Sequence, residues 1–269
     1  MLDSFNADLH LVDANLRIAM RFFGEATGAG EIRELDGSLA IYSGLDYGVF
    51  NIALLDRPLA SRAGGMEARL ADCARFFQTR SSRWSFWLCE DLLEPDARRR
   101  ARQMFLECGM RAISRPPGMV AASLSPPQRP LPEIECCPVA DAKLRTAFAD
   151  ITAVSFDIPL TIARAVYQPA RAWNGGYQGF AGLVKGQPVS IAATVATPES
   201  LGIYSVGTLP EFRRRGYCEA LLRAAVAQTQ ARQPQPTPRL VLESTDAGHV
   251  LYRRMGFRDV ARYSVYLTR

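Results

Sequence analysis

The sequence predicts an α/β protein, α+β in its arrangement, built as two domain-sized halves that each carry a mixed, mostly antiparallel sheet flanked by helices. Short β-branched runs alternate with amphipathic stretches along the 269 residues, the pattern of mixed α/β domains. Four prolines within the eight residues Ser125 to Pro132 forbid helix and remove backbone donors from any sheet, so a joint falls there. The segment Met104 to Met110 can be laid over Leu251 to Phe257 without a gap, which points to two copies of one unit. The division that follows is a first domain over 1–125, a linker over 126–132 and a second domain over 133–269.

In the first half a strand is expected over Val49 to Leu55, a helix over Met66 to Phe77 and an aromatic strand over Trp84 to Leu88. The helix that follows should stop at Gly109, as its counterpart should stop at Gly256, because the left-handed C′ position suits a residue without Cβ. Both glycines lead into an apolar residue and a further strand. The second half should open with helices around Asp141 to Val154 and over Leu160 to Tyr167. Three antiparallel strands then follow over Tyr177 to Val184, Pro188 to Thr197 and Leu201 to Thr208, joined by turns at Lys185-Gly186-Gln187 and Pro198-Glu199-Ser200. The next helix begins near Gly216. Its apolar face is Cys218, Leu221, Leu222, Ala225 and Val226, and Pro234, Pro236 and Pro238 stop it before the strand Arg239 to Glu243.

Composition narrows the function classes. At 48% apolar residues the chain can bury a sizeable core, yet its longest apolar stretches, such as Gly202 to Val206, are strand-sized. They fall far short of the ~20 residues that cross a bilayer, so no membrane partner is expected. Acids within Met1 to Asp8 stand where a signal peptide needs a basic region, and a cytoplasmic location is expected. The six cysteines, at 73, 89, 108, 136, 137 and 218, include no Cys-x-x-Cys, and only His10 and His249 could join them as ligands. Reduced thiols and no metal site follow. The formal charge of +5, from 32 basic and 27 acidic residues, suits an anionic ligand. No sign of oligomeric state is readable.

The sharpest local feature is Val206-Gly207-Thr208-Leu209-Pro210-Glu211-Phe212-Arg213-Arg214-Arg215-Gly216-Tyr217-Cys218, a strand that turns through a proline into a helix behind three arginines and a glycine. A helix's first turn presents amides without intrahelical partners at a positive dipole end, so a pyrophosphate can sit on them. Gly216 lets a phosphate approach the backbone, and Arg213, Arg214 and Arg215 supply charge around it. Neither a P-loop nor a Gly-x-Gly-x-x-Gly turn behind a strand is present, which removes support for nucleotide hydrolysis and dinucleotide binding.

This segment resembles motif A of the GNAT superfamily of N-acetyltransferases, whose signature is Arg/Gln-x-x-Gly-x-Gly/Ala; Arg213, Gly216 and Cys218 take its three positions. The resemblance implies two acyl-CoA N-acyltransferase-like domains in tandem, with acetyl-CoA as cosubstrate. It implies backbone pairing of Val206, Gly207 and Thr208 with the pantetheine arm, and a pyrophosphate on the amides of Arg214, Arg215, Gly216, Tyr217 and Cys218. Downstream, Thr245-Asp246-Ala247-Gly248-His249-Val250-Leu251-Tyr252-Arg253-Arg254-Met255-Gly256-Phe257 is similar to the family's Asn-x-x-Ala-x-x-Leu-Tyr-x-x-x-Gly-Phe. Thr245 stands where asparagine is common and would bond the pantetheine, Gly248 replaces alanine, and Tyr252 matches the general acid. Amine attack on a thioester expels a thiolate that needs a proton, and a phenol of pKa about 10 is protonated at neutral pH.

In the first half the residue aligned with Tyr252 is Phe105, which has no proton to give, and Arg62-Ala63-Gly64-Gly65 is the nearest thing to a phosphate turn. That half reads as a degenerate GNAT-like copy. His249, Glu243 and Asp157 are candidates for a general base, with none singled out. Two functions stay open: an enzyme acetylating an amine-bearing acceptor, small molecule or protein N-terminus or lysine, and a non-catalytic acyl-CoA-binding regulatory protein. The pI near 9.0 does not add nucleic acid as a partner, because no aromatic-basic interleaving or zinc-finger spacing accompanies it.

Overall fold

A computed structural model of the chain describes residues 2–59, 65–233 and 239–269. The first half runs α1 (Leu2–Ala26), β1 (Glu31–Leu35), β2 (Ser38–Tyr42), β3 (Ile52–Leu55), α2 (Gly65–Gln78), β4 (Ser85–Cys89), α3 (Pro95–Glu107), β5 (Met110–Ser114) and β6 (Pro117–Ala121). The second runs β7 (Glu135–Pro138), α4 (Ala142–Phe156), α5 (Leu160–Tyr167), β8 (Tyr177–Val184), β9 (Gln187–Ala196), β10 (Ser200–Thr208), α6 (Tyr217–Gln230), β11 (Arg239–Glu243), α7 (Asp246–Arg254) and β12 (Arg258–Thr268). Both helix stops fall on glycines in the left-handed region, Gly109 at φ 74° and Gly256 at φ 100°. Arg62, Ala63 and Gly64 of the glycine turn, and the prolines expected to stop α6, lie outside the described residues; α6 ends at Gln230.

All twelve strands share one sheet, in the order β1-β2-β3-β4-β12-β6-β11-β10-β9-β8-β7, with β5 also paired to β12. The ladders are antiparallel except at β3–β4 and β10–β11. The two halves exchange their last strands. β6, from the first half, lies between β11 and β12, pairing Val120 with Val241 and with Arg258. The end of β12, from the second half, lies between β4 and β5, pairing Val265 with Trp87 and Ser114. A cut at 126–132 therefore separates the halves in sequence while their strands cross it in space.

α1 crosses the same boundary. It lies over the second half's sheet, where Asn15 donates from Nδ2 to Val195 O at 3.2 Å and Ser200 Oγ at 2.8 Å and accepts from Tyr204 OH at 2.7 Å. Buried Asp8 pairs with Arg239 and Arg258, and buried Asp13 with Arg17. Its apolar face adds Val12, Leu16, Ala19 and Phe22 to a core that spans both halves. Phe22 stacks on Tyr177 at 4.1 Å, and Phe23 stacks on Phe50 at 4.6 Å. Burying side chains of this size is worth about 1.5–3 kcal/mol each, so α1 fastens the halves together.

Candidate functional site

The site is built where two parallel strands part. β10 pairs with β11 only from Ser200↔Arg239 to Gly202↔Val241, yet it runs on to Thr208. Its pairing with β9 shifts register between Tyr204 and Gly207, and Ser205 takes a left-handed φ of 47°. Such a bulge bends the strand and raises its twist, leaving the backbone of Val206, Gly207 and Thr208 without a neighbour on the β11 side. Ser190 holds the strand's end by a 2.8 Å bond to Gly207 O and a 2.8 Å contact with Thr208 Oγ1.

A cavity of about 490 Å³ occupies the parting, lined by Val206, Gly207, Thr208, Arg213, Arg214, Gly216, Tyr217, Cys218, Thr245 and Tyr252 among others. Of the residues expected to hold the coenzyme or act as general acid, Arg215 alone is absent from its wall; its guanidinium lies 5.9 Å from the Phe212 ring. α6 meets the cavity with Gly216 as its N-cap, at φ 90° and with no side chain bonded to its first amides. Those amides are free for an anion. Arg213 is partly committed, since its Nε donates to Thr208 O at 2.9 Å and ties the loop to β10. The linker supplies a cation that the sequence reading missed: Arg129 lines the same cavity, as does Arg254. Its one local signal was an arginine among prolines.

Thr245 caps α7, its hydroxyl accepting from Gly248 N at 3.3 Å, and so aims the helix across the parting. Tyr252 follows two turns later on that helix. Burial, with the Cys218 thiol beside it, pushes its phenol up, so it remains a proton donor at neutral pH. Burial likewise pushes Cys218 up to about 12, which keeps it a thiol and a poor nucleophile.

A second cavity, about 450 Å³, lies between the halves. Met20, Phe23, Tyr47, Phe50 and Trp87 wall it from the first half, and Tyr167, Tyr177, Tyr204 and Glu243 from the second. The two cavities meet at Phe156, Val206, Thr245 and Tyr252, which line both. Of the three candidate bases, Glu243 alone faces this space. His249 is paired to Asp259 at 2.9 Å on the surface, and Asp157 is the exposed left-handed C-cap of α4. Both carboxylate oxygens of Glu243 are shut off from solvent without a hydrogen-bond partner, and burial beside Asp13 pushes its carboxyl well above the usual range. Among the described residues no cluster of His, Cys, Asp and Glu could hold a metal.

Residues 180–265 match a family model described as FR47-like protein. Solved structures of similar fold cover nearly the whole chain. A GCN5-related N-acetyltransferase from Kribbella flavida superposes with a TM-score of 0.67 at 21% identity over 94% of each chain. A putative GNAT-family acetyltransferase from Novosphingobium aromaticivorans gives 0.54 at 17% identity over 93% of this chain and 95% of that one. A tandem GNAT protein from the clavulanic acid biosynthesis pathway gives 0.51 at 11% identity over 89% and 83%. No curated protein matches the sequence. The fold is thus the GNAT acyl-CoA N-acyltransferase fold in tandem, with the second half carrying the family match and the first half the degenerate copy.

Proposed function

We propose that the chain is an N-acetyltransferase that moves the acetyl group of acetyl-CoA to a primary amine by direct attack in a ternary complex. What supports this most is the meeting of two cavities at Val206, Thr245 and Tyr252, one with an open helix N-terminus and arginines, the other apolar and walled by both halves. The coenzyme's pyrophosphate sits on the free amides of α6, with Arg214 and Arg129 beside it, and its pantetheine arm runs along Val206, Gly207 and Thr208. That arm delivers the thioester to the junction. The neutral acceptor nitrogen attacks the carbonyl carbon from the second cavity, backbone amides of β10 steady the oxyanion, and the C–S bond breaks as the Tyr252 hydroxyl gives its proton to sulfur, while the nitrogen's surplus proton leaves to water and the phenolate takes one back. Cys218, held as a thiol, offers no acyl-enzyme route.

The units 1–125 and 133–269, joined by 126–132, act together: the second binds the coenzyme and the first closes the acceptor cavity. Six free cysteines suit a reducing cytoplasm, where acetyl-CoA is made available. Calorimetry with acetyl-CoA should saturate at one coenzyme per chain, and an amine screen should release free thiol. Two equivalent sites, or binding with no thiol release across amine classes, would overturn the reading.

A further inference from the structure

The acceptor cavity has a chemistry of its own. Among the described residues no lysine, arginine or histidine lines it. Three of its five tyrosine hydroxyls are already committed: Tyr204 donates to Asn15, while Tyr177 and Tyr167 share Ser205 at 2.7 and 3.4 Å. These residues therefore offer ring faces, not polar tips. Thr245 is similarly occupied in capping α7. Against this apolar wall, three buried polar groups lack partners: the Glu243 carboxylate, the indole Nε1 of Trp87 and the Thr152 hydroxyl.

Orphaned buried polar groups are uncommon in folded proteins, and each one in a cavity wall marks a place where a ligand completes the bonding. A carboxyl that burial keeps from ionising, with no basic residue beside it, takes its charge only when a cation arrives to pair with it. Aromatic faces around it favour the same sign, since a ring's quadrupole attracts an ammonium as well as stacking on another ring. A ligand carboxylate would find no basic partner there and would oppose any ionisation of Glu243. Trp87, a donor only, asks for a neutral oxygen.

We propose that the acceptor is a small arylalkyl amine without a carboxylate, its ammonium held by Glu243 and its ring held between aromatic residues of both halves. This rests on the acetyltransferase reading for the site's purpose, while the binding chemistry stands on the cavity alone. A free amino acid is excluded by it, since its carboxylate would find no basic partner in the wall. Glu243 acts here as a specificity-determining residue on the substrate's nitrogen.

Tyramine and tyrosine make a matched pair, identical apart from the carboxylate. Calorimetry on the full chain without coenzyme should show tyramine binding at least about 100-fold more tightly than tyrosine, the discrimination expected when a buried charge lacks a partner. Glu243→Gln should erase that preference by weakening tyramine, and Trp87→Phe should reduce the advantage of tyramine over phenethylamine. In thiol-release assays with acetyl-CoA, tyramine should exceed both tyrosine and an unblocked peptide in kcat/KM. Equal or tighter tyrosine binding, tyramine binding unaffected by Glu243→Gln, or faster turnover of the peptide would each overturn the proposal. Tyramine binding with the predicted Glu243 dependence but no coenzyme binding would uphold it and sink the acetyltransferase reading instead.

Discussion

The two halves stop a helix in the same way and use the preceding residues in opposite ways. In the second half Tyr252 stands at the junction of two cavities with its hydroxyl held as a donor. In the first half Phe105 is wholly buried and stacks at 3.9 Å, nearly parallel, on Tyr266 from the exchanged strand β12. The strands before them differ too. β10 carries a bulge and outruns its parallel partner, whereas the four-residue β3 is paired with β4 from Ile52↔Ser85 to Leu54↔Trp87 and stops. A parting exists in one half and is absent in the other. On the proposed function the coenzyme uses this locally imperfect strand, while the regularly paired half supplies wall and core.

The largest effect should separate packing from chemistry. Phe105→Ala removes a ring from a filled core and should cost about 3–5 kcal/mol of stability, read as a lowered midpoint in urea. Tyr252→Phe keeps its ring and should leave that midpoint nearly unchanged while lowering kcat about 100-fold, close to 2.7 kcal/mol of barrier. The coenzyme thiolate is a fair leaving group that water can protonate, so some activity should remain. A Tyr252→Phe protein with unaltered kcat would place Tyr252 with Phe105 as packing, and the contrast between the halves would collapse.

How far the sequence foretold this contrast depends on how local each feature is. α5 and the strands β8 and β11 fall on the residues expected, and β9 and β10 within one, because alternation and turn residues act over a few positions. The glycine stops were legible for the same reason. α1 was not anticipated: seated against strands of both halves, it buries Asp8, Asp13 and Asn15 along with its apolar residues, which blurs the stripe that marks a surface helix. The exchange of β6 and β12 depends on pairing between distant segments, for which no short stretch carries a signal. The residues proposed to hold the phosphate line one cavity, and they could be named together because they lie in one motif. Arg129 and the aromatic wall from the first half were not, since only the long-range fold brings them there.

The two helix openings make the next comparison. At Gly216 an added Cβ would come within 2.9 Å of Pro132 Cδ, and the left-handed φ resists a β-branched residue, so Gly216→Val should weaken acetyl-CoA binding at least about tenfold. At Gly65, which opens α2, an added Cβ would meet nothing nearer than 3.6 Å, and Gly65→Val should leave coenzyme affinity unchanged. Circular dichroism would confirm that both variants are folded. Equal losses in both would mean that the first half takes part in holding the coenzyme.

The smallest effect concerns Glu243, and its sign is the informative part. A carboxyl whose pKa is raised on folding is penalised only when it would otherwise ionise, so the penalty is absent below the unfolded value of about 4.3. It grows as pH climbs from there toward the raised folded value. Glu243→Gln removes the ionisation while keeping shape and should therefore stabilise the unliganded protein at pH 7. The gain should fade in melts carried out below about pH 4, where both proteins are neutral at this position. No comparable gain is expected from a carboxylate already paired, such as Asp91 with Arg262, where the corresponding Asn variant should lose stability. A stability gain at Glu243 that vanishes in acid is the signature of a group kept at the fold's expense for a ligand. If Glu243→Gln instead destabilised the protein at neutral pH, Glu243 would be a structural carboxylate with a partner, and the acceptor cavity would lose its one charged recognition element.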